Sequence, residues 1–330
     1  MQAAQKGRDY GFDNIRALLI VCVVFAHLLE IRSPFSFGGA LYRIIYSFHM
    51  PVFLFICGWF AKFDRIKVIF GLFFPYLTLQ AAYIVFQRWL YGTDILLQFT
   101  TPYWLLWFQL ALFVYHLLLP LYDVGTPRRQ LIAWFFVLIL SLFAGYDPTV
   151  GYSMTLSRLL VFQPWFLLGF YGRRTSLRPP HRIIKILITI CLILCLILLQ
   201  YWPITNNMLY GSYPYATLKY HAGTRLFLSI LALLWILFFC FVLKPMLSIR
   251  IPVITALGQN TLPVFLLHGF IVKYIGYCHP QILEHPVHFL AITFGILLLL
   301  GNSLTATLFR CLLPDYWAKK LDKSRKIAVR

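Results

Sequence analysis

Apolar runs long enough to cross a hydrocarbon core of about 30 Å recur along the whole chain, separated by short polar breaks. They fall near residues 14–31, 41–61, 67–87, 102–121, 130–145, 156–172, 183–202, 226–243, 253–275 and 287–309. Each run is continuously apolar and does not alternate between polar and apolar positions. That pattern excludes the strands of a membrane β-barrel and predicts helices, which satisfy their own backbone hydrogen bonds in lipid. The expectation is an all-α polytopic membrane protein of about ten transmembrane helices. Two runs depart from the rest: 130–145 is short, and 156–172 carries Arg158, Gln163 and Pro164.

Composition agrees and adds orientation. The chain is 61% hydrophobic with a mean hydropathy of +0.77, which leaves no stretch for a soluble domain. A single transmembrane domain over 1–330 is expected, with a basic tail at 314–330. The formal charge of +19 raises nucleic acid as a partner, but placement argues against it. With the N-terminus inside, the cytoplasmic segments hold 22 of the 29 Lys and Arg residues. That bias orients a protein in the bilayer. An even number of spans then puts both termini in the cytoplasm, which suits the tail "WAKKLDKSRKIAVR". Arg173, Arg174, Arg178, Arg182 and Lys185 on one inner loop suit anionic membrane lipids.

The seven cysteines set no disulfide framework, since five lie within apolar spans and behave there as small hydrophobes. Cys191 and Cys195 share a helix face without a histidine or carboxylate beside them, so no metal site is expected. No cleavable signal is evident: the first apolar run follows a polar N-terminus and would act as an uncleaved anchor. The outer loop 203–224, rich in Tyr, Asn, Gly and Pro, suits either a carbohydrate surface or an interfacial aromatic belt.

Against this apolar background a few polar residues are expensive, and intramembrane ionisable groups are candidates for function. Arg16 and His27 stand eleven residues apart in "NIRALLIVCVVFAHLLEI". The spacing makes about three turns and sets both on one helix face, about 16 Å apart along the axis. Arg16 would lie at the inner surface and His27 deep in the bundle. An imidazole is a general base near neutral pH, and Glu30, three residues on, would hold it in one tautomer. Hydrogen bonding between helices for packing alone is the competing reading of His27. In "SFHMPVFLFICGWF", His49 and Pro51 are placed near a helix start at the outer face, and Gly58 permits close helix approach. "AKFDRIK" follows with Lys62, Arg65 and Lys67 at the inner edge. These bases suit either topology or the phosphates of a cytoplasmic ligand.

Taken in order, these segments resemble the acyltransferase-3 integral membrane O-acyltransferases, especially the fucose-4-O-acetylase-like branch. Arg16 and His27 match the basic-x10-His signature. "FHMPVFLFICG" resembles F-x-M-P-x-F-x-F-x-S-G, with Cys57 in the serine position, and "KFDR" resembles Arg-x-x-Arg, beginning with Lys62 and ending with Arg65. "PYWLLWFQLALFVYHLLLP" is similar to the Trp-rich fourth span, with His116 where a basic residue is common. "SRLLVFQPWFLLGFYGRR" puts Arg158 and Gly169 in register, and "LGQNTLPVFLLHGF" resembles G.NSL..Y..H with Thr261 and Phe265 substituted and His268 retained.

The resemblance implies acyl transfer from a cytoplasmic acyl-CoA, usually acetyl-CoA, to a hydroxyl of a surface glycan or its lipid-linked precursor. It also implies a bacterial cytoplasmic membrane. On that reading Arg16, Lys62 and Arg65 hold the CoA phosphates. His27, with Glu30, deprotonates the acceptor or carries the acyl group itself, and Arg158, His268 and His49 position the sugar. Acetyl or a longer acyl group, and the sugar itself, stay open. A glycan or glycolipid transporter or flippase is the rival class, since buried Arg and His also mark permeation paths. Against it, no inverted repeat or matched pair of interrupted helices is visible. A membrane partner without chemistry is the third class, and the retained Arg16, His27 and His268 argue against it.

Overall fold

A computed structural model describes residues 9–93, 96–175 and 179–313. The main helices are α1 (Tyr10–Ile31), α2 (Gly38–Trp59), α3 (Lys67–Tyr91), α4 (Trp107–Leu117), α5 (Pro127–Phe143) and α6 (Leu156–Arg174). They continue with α7 (Arg182–Tyr201), α8 (Ala222–Met246), α9 (Pro252–Gln259), α10 (Thr261–Cys278), α11 (Pro286–Leu300) and α12 (Ser303–Leu312). One-turn helices punctuate the loops, and no strand occurs among the described residues.

Every expected span falls on helix, yet the count of ten is not reached by length and composition. Six helices, α1, α2, α3, α7, α8 and α10, are long and apolar enough to cross a membrane. The bent pair α11–α12, with 54° between its halves, makes a seventh if it counts as one span. The difference has local causes. The expected span 253–275 is two helices broken at Asn260. The regular part of the fourth ends at Leu117, before Pro120. α5 has only 17 residues. The architecture remains that of a polytopic helical membrane protein. The basic tail 314–330, and with it the placing of the C-terminus, lies outside the described residues, as does Arg178.

The outer end of α2 also departs from the expectation. It begins at Gly38, so His49 and Pro51 sit in mid-helix and not at its start. His49 is accordingly buried inside the bundle, with Nδ1 on the Ile45 carbonyl at 2.8 Å.

α1 is the hub of the bundle, packed against α2, α9, α10 and α11. Two close approaches fix it and its neighbours. A Cβ at Gly258 of α9 would stand 1.7 Å from the Asp13 carbonyl oxygen of α1. Beside that contact, the Asn14 amide donates to the carbonyls of Leu247 (2.7 Å) and Ile249 (2.8 Å), while Thr255 Oγ1 donates to Asn14 Oδ1 at 2.7 Å. The α2–α6 crossing is equally tight. A Cβ at Gly58 would lie 1.9 Å from the Phe166 carbonyl oxygen, and one at Gly169 would lie 2.0 Å from that of Phe55. Small residues let helices approach this closely where lipid offers no hydrophobic drive.

Candidate active site

Two cavities stand at the two ends of the Arg16–His27 interval of α1. The first, of about 190 Å³, is lined by His27, Glu30, His49, Arg158, Trp104 and Trp107, among others. The second, of about 370 Å³, is lined by Arg16, Lys67, Gln109 and His116, with Cys57 and several apolar residues. α1, α2, α4 and α10 each contribute residues to the walls of both.

His27 is fixed by a hydrogen-bonded chain. Its Nδ1 lies 2.8 Å from His268 Nε2, with the two rings nearly parallel. His268 is fully buried, and its Nδ1 lies 2.7 Å from the Val264 carbonyl oxygen. A carbonyl only accepts, so His268 Nδ1 carries its ring proton. In a neutral ring Nε2 is then the acceptor, and His27 donates from Nδ1. His27 Nε2 is thereby left with a bare lone pair on a residue that lines the cavity. One ring fixes the tautomer of the next, and the outermost nitrogen is left as an acceptor.

The backbone around this cavity is unusual. Trp104, whose ring centroid lies 4.5 Å from that of His27, has φ 38, and Met154 and Thr155 have φ 50 and 52. Non-glycine residues seldom adopt such values. The Met154 N–H donates to the Thr100 carbonyl at 2.6 Å, tying the two segments together at the cavity rim. Arg158 is held between rings, 4.9 Å from the centroid of Trp107 and 5.1 Å from that of Tyr152, and its Nε donates to the Tyr210 carbonyl at 3.1 Å. Tyr42 and Tyr210 share a hydroxyl–hydroxyl bond of 2.6 Å. Burial, with the Glu30 carboxylate nearby, holds the Tyr210 phenol above its ordinary range, so it is protonated and can donate. The wall thus combines aromatic faces, hydroxyls and one guanidinium, a set that suits a polyhydroxylated ligand.

The structure brings His27, Glu30, His49 and Arg158 to one cavity, with His268 behind His27. The partner of His27 Nδ1 is His268, the place that the spacing assigned to Glu30; Glu30 lines the cavity wall nearby. The three expected phosphate ligands do not gather. Arg16 is paired with Asp13 at 3.0 Å and lines the second cavity. Lys62 lines a separate surface groove with Arg173, Arg174 and Asp123, and Arg65 is exposed. Phe60 lies between, under Arg16 at 4.7 Å and Arg173 at 6.0 Å.

Two further residues join Arg16 there: Lys67, the last base of the run after α2, and His116 of α4. Lys67 opens a π-helical segment, Lys67–Phe73, whose wide turn supplies Gly71 and Leu72 to the same cavity. Such turns disturb the regular backbone ladder, and the Gln109 amide donates to the Leu72 carbonyl there at 3.2 Å. His116 could have been found by period alone, since Gln109, Leu112 and His116 recur at i, i+3 and i+7 and all line the cavity. Among the described residues no three His, Cys, Asp or Glu side chains converge as a metal site requires.

Comparison with known proteins places this geometry. Nodulation protein NolL of Sinorhizobium fredii (strain NBRC 101917 / NGR234) is 24% identical over 204 residues, covering 52% of this chain and 51% of its own. Nodulation protein NolL of Mesorhizobium japonicum (strain LMG 29417 / CECT 9101 / MAFF 303099) is 28% identical over 193 residues, covering 51% and 48%. The chain thus spans about half the length of the curated relatives it matches. No solved structure matches. The family profile of the acyltransferase domain, type 3, matches residues 9–301, which include every residue lining the two cavities except Leu313. The chain belongs to the acyltransferase-3 family.

Proposed function

We propose that the protein is a membrane O-acetyltransferase that moves an acetyl group from cytoplasmic acetyl-CoA to a hydroxyl of a cell-surface polysaccharide or its lipid-linked precursor. The observation that carries this reading is the chain from the Val264 carbonyl through His268 to His27, which leaves the His27 Nε2 lone pair free on a residue that lines the cavity. In that cavity His27 takes the proton of the acceptor hydroxyl. The oxygen attacks the thioester carbon, the C–S bond breaks, and the proton passes from His27 to the departing thiolate. Arg16 and Lys67 supply positive charge to the second cavity and are the proposed contacts for CoA phosphates, with Lys62 and Arg65 further out on the same side.

The volume of the first cavity suits one sugar ring and a short acyl group, below the usual 300–1,000 Å³ or so of drug-sized sites. Glu30, His49 and Arg158 are the proposed sugar contacts. We place the protein in a bacterial cytoplasmic membrane, with the second cavity facing the cytoplasm as the distribution of Lys and Arg favours. The test is the O-acetyl content of surface polysaccharide, read by NMR in cells with the wild-type gene, with His27→Ala and without the gene. Thiol release from acetyl-CoA by the purified protein is read alongside. Loss of acetylation in His27→Ala at normal protein abundance supports the assignment; unchanged acetylation overturns it.

A further inference from the structure

The two cavities have one residue in common among the described residues, Phe265. On α10, Thr261 and Leu262 line only the second cavity, Phe265 lines both, and His268 stands one turn further on, bonded to His27. α2 makes the same transition: Phe53, Ile56 and Cys57 face the second cavity, and Tyr46, His49 and Met50 face the first. α4 makes it between Trp107 and Phe108. Three helices therefore pass from one compartment to the other at one level, and that level is a layer of rings. Phe265 packs on Phe108 with centroids 4.9 Å apart, and Phe108 on Phe53 at 6.3 Å. The Phe265 ring also lies 6.4 Å from that of His268. The two cavities lie one on each side of this layer, and Phe265 borders both.

We propose that Phe265 is the residue that decides between transfer and hydrolysis: it separates the thioester donor from the acceptor cavity, where water competes with the sugar hydroxyl. The inference rests on the acetyltransferase reading above. A donor anchored at Arg16 and Lys67 reaches His27 Nε2 only past this ring, so the reacting carbonyl enters the first cavity when Phe265 swings aside. With the ring in place, water in the first cavity does not meet the thioester. With the ring removed, water takes the place of the sugar hydroxyl. Its oxygen bonds to the acetyl carbon, the C–S bond breaks, one water proton passes through His27 to the thiolate, and CoA leaves with acetic acid, which releases the second proton to solvent as it ionises.

The experiment uses the full chain in lipid nanodiscs with acetyl-CoA alone, scoring thiol release, beside O-acetyl content of the polysaccharide of cells expressing the same variants. Phe265→Ala is expected to raise acceptor-free thiol release about 10-fold or more while lowering polysaccharide acetylation. Phe265→Leu is expected to do the same to a smaller extent and decides the matter if the alanine variant fails to fold. Phe265→Trp is expected to lower both activities while CoA binding stays within about twofold of wild type. A ratio of hydrolysis to transfer that is unchanged in Phe265→Ala and Phe265→Leu overturns the inference. The two failures are distinct: undiminished acetylation in His27→Ala removes the functional reading, whereas loss in His27→Ala with an unchanged ratio in the Phe265 variants removes this inference alone.

Discussion

Truncation of His268 to Ala tests whether the histidine pair is a positioning device or a packing contact. The substitution removes the acceptor of the His27 Nδ1–H, 2.8 Å away in a buried setting. Leaving a buried donor unpaired costs about 1–3 kcal/mol. At about 1.4 kcal/mol per decade, that is a factor of roughly 5 to 150 in the population of His27 that keeps its proton on Nδ1. Rings that move the proton to Nε2, or that turn away, cannot accept from a hydroxyl. The expected result is a kcat for acetyl transfer lowered about 5- to 150-fold, with the KM for acetyl-CoA unchanged because Arg16 and Lys67 are untouched. His268→Gln returns a carbonyl oxygen close to the former Nε2 and should recover most of the loss. Interhelical hydrogen bonds in membranes average only about 0.6 kcal/mol. A purely structural pair would therefore change the thermal midpoint a little and kcat hardly at all. A kcat within about twofold of wild type in His268→Ala, measured on folded protein, refutes the positioning role.

Other outcomes follow from the same contacts. Gly58→Ala and Gly169→Ala each force a Cβ to within 2.0 Å of a carbonyl oxygen on the facing helix, so each should cost about 1–3 kcal/mol or more of stability. Gly295→Ala, where a Cβ meets nothing within 4 Å, should be neutral in the same melting assay. Arg16→Ala should raise the KM for acetyl-CoA about 10-fold with kcat nearly kept, the mark of a contact made equally in ground and transition states; an unchanged KM in steady-state kinetics would remove Arg16 from the donor site. Thr255→Val takes the donor from the buried Asn14 Oδ1 and the acceptor from the Ile251 N–H. It should lower stability by about 1–3 kcal/mol while specific activity per folded molecule holds.

The helical class was legible because lipid permits so few backbone solutions, and Arg16 and His27 were legible because charge in an apolar run is costly. What escaped were features set by a second segment. The break at Asn260 falls in a polar run, Gly258–Thr261, short enough to sit inside one expected span, yet it turns that span into α9 and α10 and lets Gly258 meet the α1 backbone. The spacing of His27 and Glu30 favoured a local partner. The actual partner, His268, is 241 residues away and is visible only once α10 lies beside α1. Lys62, Arg65 and Lys67 look alike in a basic run, and it is the π-helical turn beginning at Lys67 that selects the last of them for the cavity.

The backbone around His27 extends that argument to energy. Three of the four positive-φ non-glycine residues among those described, Trp104, Met154 and Thr155, border the first cavity or its rim. Each such residue costs about 1–3 kcal/mol and persists only where its surroundings over-determine it. Those surroundings are present. Gln80, buried in α3, donates to the carbonyls of Gln98 (2.9 Å) and Thr101 (2.8 Å) and accepts from the Tyr103 N–H at 2.8 Å. The segment is clamped on both sides of the turn that delivers Trp104. Met154 is tied to Thr100 in turn. The product of this strain is a specific placement: the Trp104 indole against the His27 ring, with Lys273 Nζ 4.2 Å from the indole centroid on α10. A relaxed backbone at Trp104 would point the indole elsewhere and leave one side of the His27 imidazole without a wall. With His268 holding Nδ1 and Trp104 holding the ring, the imidazole is constrained from two directions, and the nitrogen left over is the one that the proposed reaction uses.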